Sequence, residues 1–517
     1  MLKANLNPLR ANCYSSSEKV VMSKLFNPIL LLTASSLLIL QIVNNSFGQN
    51  ISATITLDPS EKKATITGKF KDPDDIANRR HLPFFKEYAG IDKLGERITG
   101  LTLADGDGRD VDYRQLIPGE FLAGRSFVNW HYLVDVRPIN PSASAHVSWI
   151  DKDTGIVFID DLLPQLSAGD AQMTADLKFE LPKGWQIYTT EKTKDGFAFE
   201  GVNVEKATFL VGRNLRERTI NIGSVPIKFI FDSAWQFSDD EALTTAKEIY
   251  NSYHQLFGAD PAQQIQLAVI KFPVTVGPGN WEANTLGSSV TILSSEMPFK
   301  TQSLQRLHEQ LRHEIFHLWL PNGINLVGKF DWFYEGFALY LSLKNGVLLN
   351  RIRFEDFLDT LSRAHTIDSF QNSKLSLIEA SQKRWTGGNT IVYARGMIAA
   401  FLCDLAMLAK SRGKNSVAVV LKEIFDKYRD QEKSADGTEA VINVLQGHSE
   451  LRPIIEKYIK GNSSVDWTAD LLAAGLVAKE TNGVTVLKTI DNPDGRQKAL
   501  LDRLGYNSWR KLGTNSR

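Results

Sequence analysis

The stretch His313-Glu314-Ile315-Phe316-His317 constrains this chain more than any other. Two imidazoles four residues apart on a helix can grip one ion, because 3.6 residues per turn brings positions i and i+4 onto one face. A carboxylate beside the first imidazole then stands where it can take a proton from a metal-bound water. The surrounding run SLQRLHEQLRHEIFHLWL has the required pattern. Leu304, Leu307, Leu311, Ile315 and Leu318 form an apolar stripe, Pro321 and Gly323 stop the helix, and His313 and His317 lie off the stripe. The stripe predicts a buried back, and the histidines predict a cleft on another side.

A catalytic zinc site takes three protein ligands and leaves a position open for water. His313 and His317 supply two. Glu335 in WFYEGFALY is the candidate for the third, because the seventeen residues between it and His317 allow a loop and the start of a second helix. This ligand set predicts Zn2+, one ion per chain, although two His and a carboxylate also accept other divalent ions. Glu314 is the candidate general base.

These segments resemble the gluzincin metallopeptidases. HEIFHLW followed by WFYEGFALY is similar to both the glycyl aminopeptidase family and the aminopeptidase N family, one residue short of the spacing usual in the latter. His317-Leu318-Trp319, FELPKGWQI and the run IEKYIKGNSSVDWTADLLAAGL lean to the glycyl aminopeptidase side. The resemblance covers most of residues 170–475 and implies a thermolysin-like catalytic domain acting on peptides. It also implies roles for two further segments. Tyr393 in IVYARGMIAAF matches a tyrosine that hydrogen-bonds the oxyanion of the tetrahedral intermediate, with Arg395 where the family has Lys. A neutral phenol there would stabilise charge that develops only in the transition state. Gly279-Asn280-Trp281-Glu282-Ala283 resembles a segment that lies along the substrate and whose Glu binds the free α-amine; Trp281 and Ala283 depart from its pattern. Gly279, Trp281 and Glu282 are thus cast as substrate-binding residues, and the expectation turns to an aminopeptidase. Two other readings stay open: a zinc endopeptidase on the same scaffold, and a non-catalytic exported binding protein with a relic site.

The rest of the 517-residue chain sets the context. Short β-branched and aromatic runs over residues 51–226 predict an all-β, sandwich-like domain. Residues 227–410 alternate strands and helices and form the catalytic α/β domain. Residues 411–517 read as mainly helical, with one strand (VTVLKTI) and a short helix at the end. The predicted class is multidomain α+β. Lys+Arg and Asp+Glu both number 59, so net charge makes no case for nucleic acid. Lys3, Arg10, Lys19 and Lys24 precede an apolar run from about Pro28 to Val43, then a polar NNSFGQN. That is the pattern of a signal peptide over residues 1–48, or of an uncleaved N-terminal anchor, the only segment through which the membrane would be reached. Met22 opens a better-proportioned signal than Met1 does. The chain is therefore expected to be exported.

Other residues carry blander expectations. Cys13 would leave with a signal, and Cys403 in an apolar helix reads as core. Glu309 could orient His313 but fits a solvated helix face better. His308 points away from the site. His81, His131, His146, His254, His365 and His448 have no ligand spacing, and TVGPGN and WTGGNT read as turns.

Overall fold

The computed structural model describes residues 50–71, 79–166, 172–371 and 374–506, all within one compact unit. The candidate export segment, residues 1–48, lies outside them.

Period-two alternation builds the β-rich part. Asn50–Asp58 turns Ile51, Ala53, Ile55 and Leu57 inward and the residues between them outward. It pairs antiparallel with Lys63–Phe70 and parallel with Thr174–Glu180 at the centre of a seven-stranded sheet. A four-stranded sheet of Trp149–Ile150, Thr154–Phe158, Gln186–Tyr188 and Thr208–Gly212 shares that core, with Val157 and Phe209 in the same cluster as Ile55 and Leu177. Alternation gives the smaller sheet a second apolar face. Trp149, Ile156, Phe158 and Leu210 pack on Ile230, Ala268, Ile270 and Leu293, which belong to the next sheet. The β-rich part is therefore seated on the α/β part through apolar contacts.

The next sheet has five strands: β1 (Arg216–Ile222), β2 (Val225–Phe231), β3 (Ile265–Lys271), β4 (Trp281–Leu286) and β5 (Ser289–Ser294), ordered β1-β2-β3-β5-β4. The central strands β2, β3 and β5 run parallel, and β1 and β4 pair antiparallel at the edges. β5 is buried along its whole length and β3 along all but its last residue, as parallel strands covered on both faces are. β4 is different. Its residues are mostly half-buried, and WEANTL has no strand pattern. Pairing with β5 makes the segment around Glu282 an edge strand.

Helices cover the sheet. In α1 (Asp239–Phe257), Ser238 Oγ accepts from the Glu241 amide and the Glu241 side chain reaches back to Ser238 N, a reciprocal cap. α2 (Lys300–Trp319) carries the His313–His317 segment; Leu307, Leu311, Ile315 and Leu318 are buried, each contributing about 1.5–3 kcal/mol. α3 (Asp331–Leu348) carries Glu335 and α5 (Asn389–Ser411) carries Tyr393. Between them, α4 (Phe354–Ser369) buries Phe354, Phe357, Leu358 and Leu361, an amphipathic helix the sequence reading passed over. α3 and α5 cross where two glycines meet. A Cβ on Gly336 would lie 2.5 Å from the Gly396 Cα, so only hydrogen fits. α5 is long and apolar enough to span a membrane but is mostly buried inside the fold. Cys403 is buried within it, and burial pushes its thiol up, as a core residue requires.

Beyond α5 come helices Val417–Tyr428 and Gly437–Gly447, then shorter turns. At the end, Val484–Thr489 pairs with Leu476–Thr481 in a hairpin before the helix Gly495–Leu504. The expected single strand is therefore two. Gly475, at φ 74°, ends the preceding helix and frees Leu476–Thr481 to extend.

Candidate metal and active site

The three expected metal ligands come together. Donor atoms of His313, His317 and Glu335 all lie within 4.8 Å of one another, and all three residues are buried. Glu335 Oε2 stands 3.4 Å from His313 Nε2 and 3.6 Å from His317 Nε2. His317 Nδ1 lies 3.0 Å from the Leu320 carbonyl, to which only a protonated nitrogen can donate, so Nε2 is the nitrogen turned to the cluster. Glu335 Oε2 is buried without a hydrogen-bond partner among the described residues, and an orphaned buried carboxylate oxygen between two imidazoles calls for a cation. Two imidazoles and a carboxylate converging in one buried cluster are the donor set of a catalytic zinc site, and the fit is one ion per chain.

Arg384, which the sequence reading did not single out, ties this cluster to Tyr393. Its Nη2 lies 3.1 Å from Glu335 Oε1 and donates to Tyr393 Oη at 2.6 Å; its Nη1 donates to Asp331 Oδ1 at 2.5 Å. Tyr334 Oη donates to the same Asp331 oxygen at 2.8 Å. The charges follow. Burial alone would raise the Glu335 carboxyl, but Arg384 and then the two imidazoles hold it well below the usual carboxylate range. Burial, and then Glu335, push the Tyr393 phenol well above its ordinary value, so it stays a neutral donor. Burial opposes the charge on Arg384, and Glu335, Tyr393 and Asp331 outweigh it.

Arg384 sits in the WTGGNT neighbourhood that reads as a turn, and it is one. The 3-10 turn Arg384–Thr386 runs into Gly387 at φ 114° and Gly388, where a Cβ would lie 2.2 Å from the Ala380 carbonyl oxygen. Two glycines fold the chain back so that Arg384 lies over Tyr393 on the first turns of α5. No local pattern signals a role of this kind; it depends on where α3 and α5 meet.

Glu314 is held from the sheet side. Thr285 Oγ1 on β4 donates to its Oε2 at 2.7 Å, while its Oε1 lies 4.0 Å from His313 Nε2. One oxygen is anchored and the other faces the cluster. Thr285 is a second residue that sequence reasoning misses, because WEANTL carries no strand pattern to place it opposite Glu314. Thr285→Val should leave the fold in place and lower kcat about tenfold, since a buried carboxylate that loses a partner loses about 1–3 kcal/mol of orientation. Steady-state kinetics at saturating zinc checks this.

The remaining expectations sort as follows. Alternation on β4 turns Trp281, Ala283 and Thr285 towards α2, with the Trp281 ring 6.3 Å from that of His313. Glu282 takes the other face. β4 lies against the turn Ser142–Ala145 of the β-rich part, so Glu282 stands at the seam between the two parts. It is half-buried, no hydrogen bond or ion pair reaches it among the described residues, and burial raises its carboxyl. Gly279 holds φ 84° in the turn before β4. Arg395 does not reach the metal cluster: it is buried and paired with Asp368 Oδ1 at 2.9 Å. Glu309 accepts from Arg306 on an exposed helix face, and His308 faces Glu248 on α1. Among the scattered histidines, His146 is packed near the site. Its ring lies 6.1 Å from that of Trp385, and burial, then Arg384, hold its imidazole down at about 4, so it is neutral at pH 7.

Comparison with known proteins decides the architecture. No family model and no curated protein matches the chain. Solved structures do. An aminopeptidase N family protein from Idiomarina loihiensis matches with a TM-score of 0.70 at 17% identity, over 83% of this chain and 79% of that one. An M1 zinc metallopeptidase variant from Deinococcus radiodurans, bound to a Tyr-Ser-Ala substrate, matches with a TM-score of 0.54 at 13% identity, over 81% of this chain and 95% of that one. The chain has the M1 zinc metallopeptidase fold. A two-domain M1 zinc metallopeptidase bound to L-arginine matches at TM-score 0.51 and 14% identity, over 81% of this chain and 95% of the other. The M1 fold accounts for the order seen here: β-rich part, mixed α/β middle, helical end. It is also the gluzincin architecture that the sequence resemblance implies.

Proposed function

We propose that the protein is an exported zinc-dependent aminopeptidase that hydrolyses N-terminal residues from peptides. The observation that carries the peptidase reading is the buried His313–His317–Glu335 cluster with Glu314 and Tyr393 around it. A bound Zn2+ supplies a Lewis acid for the scissile carbonyl and an activated water. The chain supplies the rest. Glu314, anchored by Thr285, accepts the water's proton and returns it to the leaving amine. Tyr393 donates its hydroxyl to the oxyanion. Trp281 and the β4 backbone, following the turn at Gly279, line the path of the peptide.

Glu282 carries the aminopeptidase reading. A half-buried carboxylate without a partner among the described residues, next to Trp281 on β4, suits a receptor for the substrate's free ammonium. Glu282→Ala should raise KM for free-amine substrates about 30-fold, the loss of about 2 kcal/mol from one partner of a desolvated charge pair. Because burial raises the Glu282 carboxyl, its charge, and with it amine binding, is lost as pH falls through that raised value. KM should therefore rise on the acid side in the wild type and stay flat in the variant. Aminoacyl reporters with free and blocked amines test the class. Equal cleavage of both would favour the endopeptidase on the same scaffold.

Export rests on the basic and apolar pattern of residues 1–48. Fractionation with N-terminal sequencing tests it: a cytosolic protein with those residues intact removes this part of the reading.

A further inference from the structure

We infer that Arg384 is a positioning residue that sets the oxyanion donor, by making one guanidinium nitrogen serve both the third metal ligand and Tyr393. The inference rests on the peptidase reading above. Nη2 donates to Tyr393 Oη and also faces Glu335 Oε1. A phenol oxygen that accepts from a cation cannot point its own hydrogen back at that cation. The Tyr393 hydrogen is therefore turned away from Arg384, with the Glu335 carboxylate beside it as its acceptor until an oxyanion takes that place, and its O–H is polarised into a stronger donor. The same contact occupies Glu335 Oε1 and leaves Oε2, the orphaned oxygen, for the metal.

The arginine is itself over-determined. Asp331 holds Nη1 at 2.5 Å, and the guanidinium lies 4.4 Å from the centre of the Trp385 ring and 5.4 Å from that of Tyr393. Trp385 packs in turn on Gly90 of the β-rich part, where a Cβ would lie 3.3 Å from the indole. If Arg384 served only to neutralise Asp331, one arm would suffice. The planar fork instead spans Asp331, Glu335 and Tyr393, which a lysine ammonium cannot do in one geometry. The route from Arg384 to catalysis thus runs through the orientation of Tyr393.

The experiment compares zinc-loaded wild type with R384A, R384K, Y393F and the double variant R384A/Y393F. In R384A, kcat should fall about 100-fold with KM within about threefold, the signature of a lost transition-state contact. Affinity for a phosphinic dipeptide, which mimics the tetrahedral oxyanion without turnover, should fall by the same factor of about 100. R384K, which keeps the charge and serves if R384A folds poorly, should lie between. Added guanidinium should restore part of the R384A rate and none of the double variant's. The double variant should be no slower than Y393F alone, because the two act as one unit. R384A that binds the phosphinate as tightly as wild type overturns the inference, as do losses in the double variant that multiply in full. Wild type that binds no phosphinate and cuts no peptide is a different result, since it removes the peptidase reading itself.

Discussion

Glu314→Gln is expected to retain zinc and fold while losing about 10,000-fold in kcat, the upper range for a positioned general base. Glutamine is nearly isosteric with glutamate, and its carbonyl oxygen can still accept from Thr285 Oγ1, so the side chain keeps its place between β4 and the cluster. What it loses is the ability to take a proton. The ligands His313, His317 and Glu335 are untouched, so metal content should stay at one per chain. Their loss would act differently, through the metal itself. KM should change little, because the proposed role of Glu314 is on the attacking water and not on the bound peptide. The result also separates the readings. A Glu314→Gln protein that matched wild type in every hydrolytic assay would mean that the residual hydrolysis never came from this site, and the relic-site binding protein would then stand.

The parts of this site that were legible in the sequence are those governed by local periodicity. His313 and His317 meet because they are four apart on a helix whose apolar stripe is plain, and Glu335 reaches them because one loop separates two such helices. Tyr393 and Glu282 came through resemblance, and the structure puts them in different settings. Tyr393 is bonded into the cluster, whereas Glu282 has no partner among the described residues and lies on an edge strand. The supporting residues were not legible. Thr285 supports Glu314 only because β4 pairs with β5, and WEANTL has no strand signal of its own. Arg384 and Asp331 are far from each other in sequence and become partners only through the packing of α3, α5 and the glycine turn. Burial of charge leaves no periodic trace. The same holds for the hairpin at the end, where Leu476–Thr481 becomes a strand because Val484–Thr489 lies beside it.

Gly336 follows Glu335 directly, and that position makes it the second large effect. On α3 it faces Gly396 of α5, three residues beyond Tyr393, and the two helices touch there backbone to backbone. A methyl group on Gly336 would sit 2.5 Å from the Gly396 Cα and 2.6 Å from its carbonyl carbon. No side chain can yield, because the obstacle is main chain. The helices must separate, and the core on both sides, including Phe337, Ile398 and Phe401, must follow. Overpacking of this kind costs about 3 kcal/mol. The thermal midpoint of the zinc-loaded protein should accordingly fall by about 3 °C. The same separation carries Glu335 away from Tyr393 and Arg384, and a displacement of about 1 Å at such a site costs about 100-fold in kcat. Stability and activity should therefore fall together in Gly336→Ala. Gly396→Ala strains the same contact from the other helix, so the double variant should be less damaged than the sum of the singles predicts. Gly447→Ala, where a Cβ meets open space, is the control and should leave both quantities alone. A Gly336→Ala protein that melts like wild type and turns over at the same rate would show that the crossing of α3 and α5 does not set the spacing of Glu335 and Tyr393.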